Sequence, residues 1–228
     1  MTSARQELLA GIRAEMPVTL GVTPFGLIYG VLATAAGLPP ILAIAMSSVV
    51  FAGSAQFIGA QLFGVGTPGI IIVLTTFVVN LRHALYSFSM APYLQRLPLR
   101  WRWLLAYLLT DEAYAVTIGH YRDESKALDH KHWFFLGSGL TLWIVWQLTT
   151  IVGVALGAQI PPTWALDFTL ALTFIGLVIP ALQDRPNIAA ALTAGVVAVL
   201  SFNLPYKLGL LIASLSGILV GVWMERRA

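Results

Sequence analysis

Residues 40–64, PILAIAMSSVVFAGSAQFIGAQLFG, and 68–92, PGIIIVLTTFVVNLRHALYSFSMAP, decide the class of this chain. A bilayer crossing needs about 20 predominantly apolar residues, and each stretch supplies them. Only the turn Gly64-Val-Gly-Thr-Pro68 parts the two. The pattern continues on both sides, at roughly 17–36, 101–120, 134–158, 163–183, 187–203 and 206–224. Tight connections carrying Gly and Pro punctuate them, such as Gly37-Leu-Pro-Pro40, Ile160-Pro-Pro162 and Gln183-Asp-Arg-Pro186.

Composition agrees. The 228 residues are 58% hydrophobic and 10% charged, against roughly 45–50% and about 25% in a soluble domain. Mean hydropathy is +0.82. A soluble enzyme, a nucleic-acid binder and a disordered regulator are all poor readings of such a chain. The net charge of +3 does not point to nucleic acid, because the basic residues sit in short loops and at the two ends. With no cysteine, disulfides, thiol nucleophiles and thiolate metal sites are excluded.

The fold expected is all-α: a polytopic integral membrane helix bundle of seven or eight transmembrane segments, forming a single domain over residues 1–228. Residues 1–16 read as an amphipathic lead-in at the membrane surface. The polar loop 121–133 divides the chain into half-repeats, 17–120 and 134–224. Gly37-Leu-Pro-Pro40 is echoed by Gln159-Ile-Pro-Pro162, and Phe51-Ala-Gly53 by Phe174-Ile-Gly176. Each half then has a segment disturbed near its middle, by Gly53-Ser-Ala-Gln56 and by Gly176 with Pro180. Paired interruptions of this kind point to a transporter binding site. The alternative, that Gly, Ala and Pro are simply common in membrane helices, stays open at this stage. With the N-terminus inside, eight spans put eight Lys/Arg on the cytoplasmic side and four outside. Arg96, Arg100 and Arg102 then lie on the disfavoured side.

Charges at membrane depth are the strongest functional signal. Asn80, Arg82 and His83 lie within the third stretch, and Asp111 and Glu112 within the fourth. One central charge costs about 2.5–3.5 kcal/mol on insertion scales, so Arg82 is expected to pair with Asp111 or Glu112 at matching depth. A register-fixing ion pair needs two groups; a titratable His beside two carboxylates suits a proton relay. Ser54 and Gln56 beside Gly53 are candidate donors to a substrate, or bonds between helices. Asp167 reads as a helix-end charge, and His120, His130 and His132 as solvated. Gly26 with Gly30, Gly153 with Gly157 and Gly217 with Gly221 are spaced for close helix packing.

The blocks Pro24-Phe-Gly26, Phe51-Ala-Gly-Ser-Ala-Gln-Phe57, Asn80-Leu-Arg-His83, Thr110-Asp-Glu112 and Leu166-Asp-Phe168 with Phe174 resemble the AzlC family. These are the larger subunits of bacterial branched-chain amino acid exporters. The likeness covers roughly residues 15–225. It implies efflux of branched-chain amino acids and often methionine across the bacterial inner membrane, coupled to protons. It also implies a small AzlD-like membrane subunit as partner.

The residues suit a zwitterionic substrate. A helix break offers backbone N–H groups to a carboxylate, an acid can take the ammonium, and Phe25, Phe51, Phe57 and Phe174 can hold the side chain. The reading calls for no cofactor and no metal. No Walker motif is present, so ATP hydrolysis within this chain is excluded. An intramembrane enzyme and a channel or structural subunit remain as alternatives. The first lacks a Gly-x-Ser-x-Gly elbow and a His-Glu-x-x-His site; a structural subunit would not need a charge cluster at mid-depth.

Overall fold

The computed structural model describes residues 3–122, 130–157, 182, 184–204 and 208–227. These form ten helices and no strand. Ser3 starts the first: its hydroxyl accepts from the Gln6 amide while the Gln6 side chain accepts from the Ser3 amide, a reciprocal cap. The helix, α1, then runs unbroken over Ala4–Ala35 despite Pro17 and Pro24. Of residues 1–16, expected as a surface lead-in, residues 4–16 supply the first turns of this helix, with Glu7 and Glu15 buried.

Two reversals share one chemistry. After α1, Gly37 has φ +85°, and the Leu38 and Gly37 amides donate to Ala33 and Thr34. After α3 (Gly53–Gly64), Gly66 has φ +71°, and the Thr67 and Gly66 amides donate to Leu62 and Phe63. Only Gly adopts this left-handed conformation without a Cβ clash, and a proline follows within two residues to start the next helix.

Three expected spans are each broken in two. The stretch 40–64 becomes α2 (Pro40–Val50) and α3; Phe51 between them is left-handed (φ 34°) and Ala52 is extended. The stretch 68–92 becomes α4 (Gly69–Asn80) and α5 (Arg82–Leu94), bent by 41° at Leu81. The stretch 101–120 becomes α6 (Leu99–Tyr107) and α7 (Asp111–Arg122). Then come α8 (Lys131–Gly157), α9 (Arg185–Leu200) and α10 (Leu208–Glu225).

Among the described residues, α1 and α8 alone are long and apolar enough to cross a membrane unaided. The bent pair α4–α5 makes a third crossing if counted as one. The expected seven or eight spans are thus not reached as continuous helices. Each of the three stretches is interrupted before either half attains spanning length. The stretch 163–183, with Asp167, Phe174, Gly176 and Pro180, lies outside the described residues.

The helices α1 and α8 form the centre. They run parallel, with backbones in contact: Gly11 faces Phe134 and Ser138, Gly30 faces Thr150 and Val154, Gly153 faces Leu27, and Gly157 faces Val31 and Thr34. The spaced glycines therefore do what their sequence pattern predicts. Gly217 and Gly221 do the same between α10 and α9, facing Ala190 and Ala194. Polar side chains pin α2 onto α8. Ser47 hydrogen-bonds Thr150 at 3.1 Å, and Ser48 donates to Gln147 at 3.0 Å.

A methyl group on Gly153 would run into the Leu27 carbonyl, whereas Gly195 faces open space. Gly153→Val should therefore lower the melting temperature of the detergent-solubilised chain, overpacking costing about 1–3 kcal/mol. Gly195→Val should leave it nearly unchanged.

Candidate functional site

Each break carries polar residues, and the fold brings the three together. Ser54 sits in the first turn of α3, Arg82 is the first residue of α5, and Asp111 is the first of α7. Arg82 Nη1 lies 3.0 Å from Asp111 Oδ2, and Nη2 donates to Ser54 Oγ at 2.8 Å. One guanidinium thus ties the N-terminal ends of three half-helices. Those ends bear partial positive charge, which favours Asp111 and opposes Arg82. Arg82 therefore needs its anion close by.

Thr110 caps α7, its hydroxyl accepting from the Ala113 amide at 3.3 Å. That bond starts the helix where Asp111 meets Arg82. Expectation and structure agree on the ion pair, with Asp111 as the partner and Glu112 half-buried beside it.

The pair is not dry: its side chains are 32% and 37% exposed. Yet Asn80 Oδ1, Arg82 Nε and Asp111 Oδ1 are buried with no hydrogen-bond partner among the described residues. The centre thus keeps one donor and two acceptors unpaired, among the described residues, beside the Arg82–Asp111 ion pair. His83 lies edge-on to Tyr86 at 5.9 Å, and Tyr86 stacks on Tyr114 at 4.5 Å.

The other expected residues line the scaffold behind this centre. Gln56 is fully buried: it accepts from Trp146 Nε1 at 3.0 Å and donates to the Met46 carbonyl at 3.4 Å. Gly53 faces the Trp146 ring, 3.0 Å from where a Cβ would stand. Phe57 is buried edge-on to Tyr29 at 6.0 Å. Phe51, also buried, lies 6.0 Å from Tyr107, whose hydroxyl accepts from Trp143 Nε1 at 2.7 Å. Phe25 is half-buried against the core, and Phe174 lies outside the described residues. A separate open cavity of about 580 Å³ follows α10, lined by Leu219, Val220, Val222, Trp223 and Arg226. None of the expected site residues reaches it. Among the described residues, no three His, Asp or Glu side chains gather as a metal site requires.

Sequence reading misses a second polar group. His120, expected to be solvated, is 8% exposed, bonds Glu7 Oε2 at 2.9 Å and stacks on Phe134 at 3.7 Å. His132 packs against Trp101 at 4.7 Å, while His130 is exposed as expected. Glu15 is fully buried and accepts from Ser138. The available signal is spacing: Glu7 and Glu15 stand eight residues apart, so they share one helix face.

Apolar helices, broken at sites that carry charge, are the features of a helical membrane protein. The AzlC protein family matches residues 17–160, and the chain belongs to that family. Membership supports a membrane transport role. It is 31% identical over 219 residues to an uncharacterised membrane protein of Archaeoglobus fulgidus, covering 93% of each chain. It is 25% identical over 224 residues to the inner membrane protein YgaZ of Escherichia coli, covering 93% of this chain and 87% of that one. It is 28% identical over 195 residues to the branched-chain amino acid transport protein AzlC of Bacillus subtilis, covering 83% and 75%. No solved structure matches it.

Arg82→Ala and Asp111→Ala should each lower thermal stability, and the double variant should lose less than the two effects added. A dry pair costs about 3–5 kcal/mol when one partner is removed. Exposure of a third of each side chain should bring each single loss below that. Additive losses in detergent melting curves would show that the two groups do not couple.

Proposed function

We propose that the chain is a secondary transporter that exports branched-chain and other neutral amino acids, methionine among them, across the bacterial inner membrane. The observation that carries this reading is the meeting of three helix breaks at Arg82. Its pair with Asp111 leaves one donor and two acceptors unspent there. The substrate carboxylate takes Arg82 Nε and Ser54; its ammonium takes Asp111 Oδ1 and Asn80 Oδ1. Phe51 walls the apolar side chain, with Phe25 and Phe57 behind it; Phe174, outside the described residues, is assigned to the same role from the sequence alone. Gly53 and Gln56 hold that wall against Trp146.

Protons drive the export. Glu112 and His83 border the ion pair and can change charge, whereas the Arg82 guanidinium stays charged. Glu112 is the favoured carrier, because Asp111 is engaged by Arg82. An AzlD-like small membrane subunit completes the transporter, by analogy with the family. The proposed half-repeats draw support from the α1–α8 contact. Gly11 with Phe134, Gly26 with Thr149 and Thr34 with Gly157 are each 123 residues apart. The Pro-Pro and Phe echoes recur at that interval or one residue less. Parallel halves of this kind place a site at their interface.

Proteoliposomes loaded with leucine test the reading. Labelled leucine should enter by counterflow, and valine and isoleucine should compete. Leucinol, which lacks the carboxylate, and 4-methylpentanoate, which lacks the ammonium, should not. Equal competition by either would rule out zwitterion recognition by the Arg82–Asp111 centre.

A further inference from the structure

Depth in the bundle can be read along α8, which runs parallel to α1. Gly11, near the start of α1, faces Phe134, and Thr34, near its close, faces Gly157. Two of the broken stretches return to the end from which they enter. The helix α2 starts at the Gly157 end, just after α1 closes, and runs inward until Ser47 and Ser48 meet Thr150 and Gln147. Past Phe51 the chain turns back. Gly53 faces Trp146, Gly59 faces Met46, and Gly64 faces Ala36 at the close of α1.

The helices α6 and α7 do the same from the Lys131 end. Trp101 lies 4.7 Å from His132 and 5.0 Å from Trp133, ring to ring. Deeper in, Trp143 donates to Tyr107, and Leu108 sits against Gly139. On the way back His120 stacks on Phe134, while Tyr121 and Lys131 each donate to the other's carbonyl. Between these two stretches, α4–α5 passes from one end to the other. Gly59 faces Ile72 and Thr76 of α4, and Tyr93 in the last turn of α5 lies 5.1 Å from Tyr121.

Length, burial and charge agree with this path. The four half-helices have 9 to 12 residues, about 14–18 Å, or half of a hydrocarbon core about 30 Å thick. Backbone unwound at that depth must be covered by protein or line a cavity; Phe51, Ala52, Leu108, Leu109 and Thr110 are all buried. Straight crossings would put Arg96, Arg100 and Arg102 outside. The observed path returns them to the end that holds Arg5, Arg13, Arg122 and Lys131. Residues 35–69, which include both turns at the opposite end, contain no Lys or Arg. The positive-inside rule then makes the Lys131 end cytoplasmic.

We infer that residues 40–64 and 99–122 are re-entrant hairpins, inserted into the bilayer from opposite faces. Their tips meet where the Tyr107 hydroxyl donates to the Ser48 carbonyl at 2.5 Å. Residues 4–157 then cross the membrane three times, by α1, α4–α5 and α8. A crossing followed by a hairpin occurs twice in opposite orientations. The hairpin helices start 59 and 58 residues apart, at Pro40 and Leu99 and at Gly53 and Asp111. Inverted repeats of this kind meet at the midplane, and Arg82 bridges Ser54 of one hairpin to Asp111 of the other there. Each face is thus joined to that centre past a different hairpin.

The chain has no native cysteine, so introduced thiols report sidedness directly. Pro39→Cys, Val65→Cys, Gln95→Cys and Arg122→Cys fall at exposed hairpin ends. A membrane-impermeant maleimide should label the first two only in right-side-out vesicles and the last two only in inside-out vesicles. A Cβ on Gly64 would stand 3.1 Å from that of Ala36, near the roughly 3.5–4.5 Å of a disulfide. The double variant Ala36→Cys, Gly64→Cys should therefore cross-link under mild oxidation and run differently on a non-reducing gel. Labelling of positions 39 and 65 from opposite faces, labelling of 95 and 122 from opposite faces, or a double variant that stays reduced would overturn the hairpins. These readouts need no substrate, so a failed leucine assay would bring down the amino-acid reading and leave this inference standing.

Discussion

A guanidinium at the depth of a bilayer must be matched or removed, and here the surrounding structure is arranged to match it. Arg82 begins α5, where the helix dipole opposes a cation. It can stay only because Asp111 stands 3.0 Å away and Ser54 accepts its second nitrogen. Both partners come from other broken spans. The break at Phe51–Ala52 sets where Ser54 stands, and the cap at Thr110 sets where Asp111 stands. Straight helices through these three stretches would not bring these three helix starts to one cation.

The scaffold behind the charge is rigid for a separate reason. Glycines let α1 and α8 touch along their backbones, and Gln56, Trp146, Ser47 and Thr150 fasten the first broken span onto α8. Phe51 is held in a left-handed conformation that costs a non-glycine residue of order 1–3 kcal/mol. Its ring is buried, in tilted contact with Tyr107. A strained residue between a fixed wall and a charged centre is where a moving transporter would be expected to flex.

Much of this is legible in the sequence because bilayer physics leaves few choices. The all-helical class, the Arg82–acid pair and the disturbance near Gly53 all follow from apolar length, charge cost and a Gly-Ser pair. The break falls two residues earlier than Gly53 itself, because Phe51 takes the left-handed position. The breaks at Leu81 and at 108–110 carry no Gly or Pro to announce them. Their charged neighbours Arg82 and Asp111 read as charges to be paired, not as helix starts. The Glu7–His120 contact joins residues 113 positions apart, and neither partner reads as lying inside the bundle. No local rule connects them until α1 is seen to run unbroken from Ala4.

The central claim is that the Ser54–Arg82–Asp111 meeting point is where substrate binds. Because the chain has no native cysteine, Ser54→Cys gives a single reporter there. In inside-out vesicles, a membrane-impermeant maleimide should label the introduced thiol, and leucine should slow the labelling in a saturable way while lysine leaves it unchanged. A thiol at this position that stays unlabelled in the folded protein, or one that reacts equally fast with and without leucine, would contradict the account.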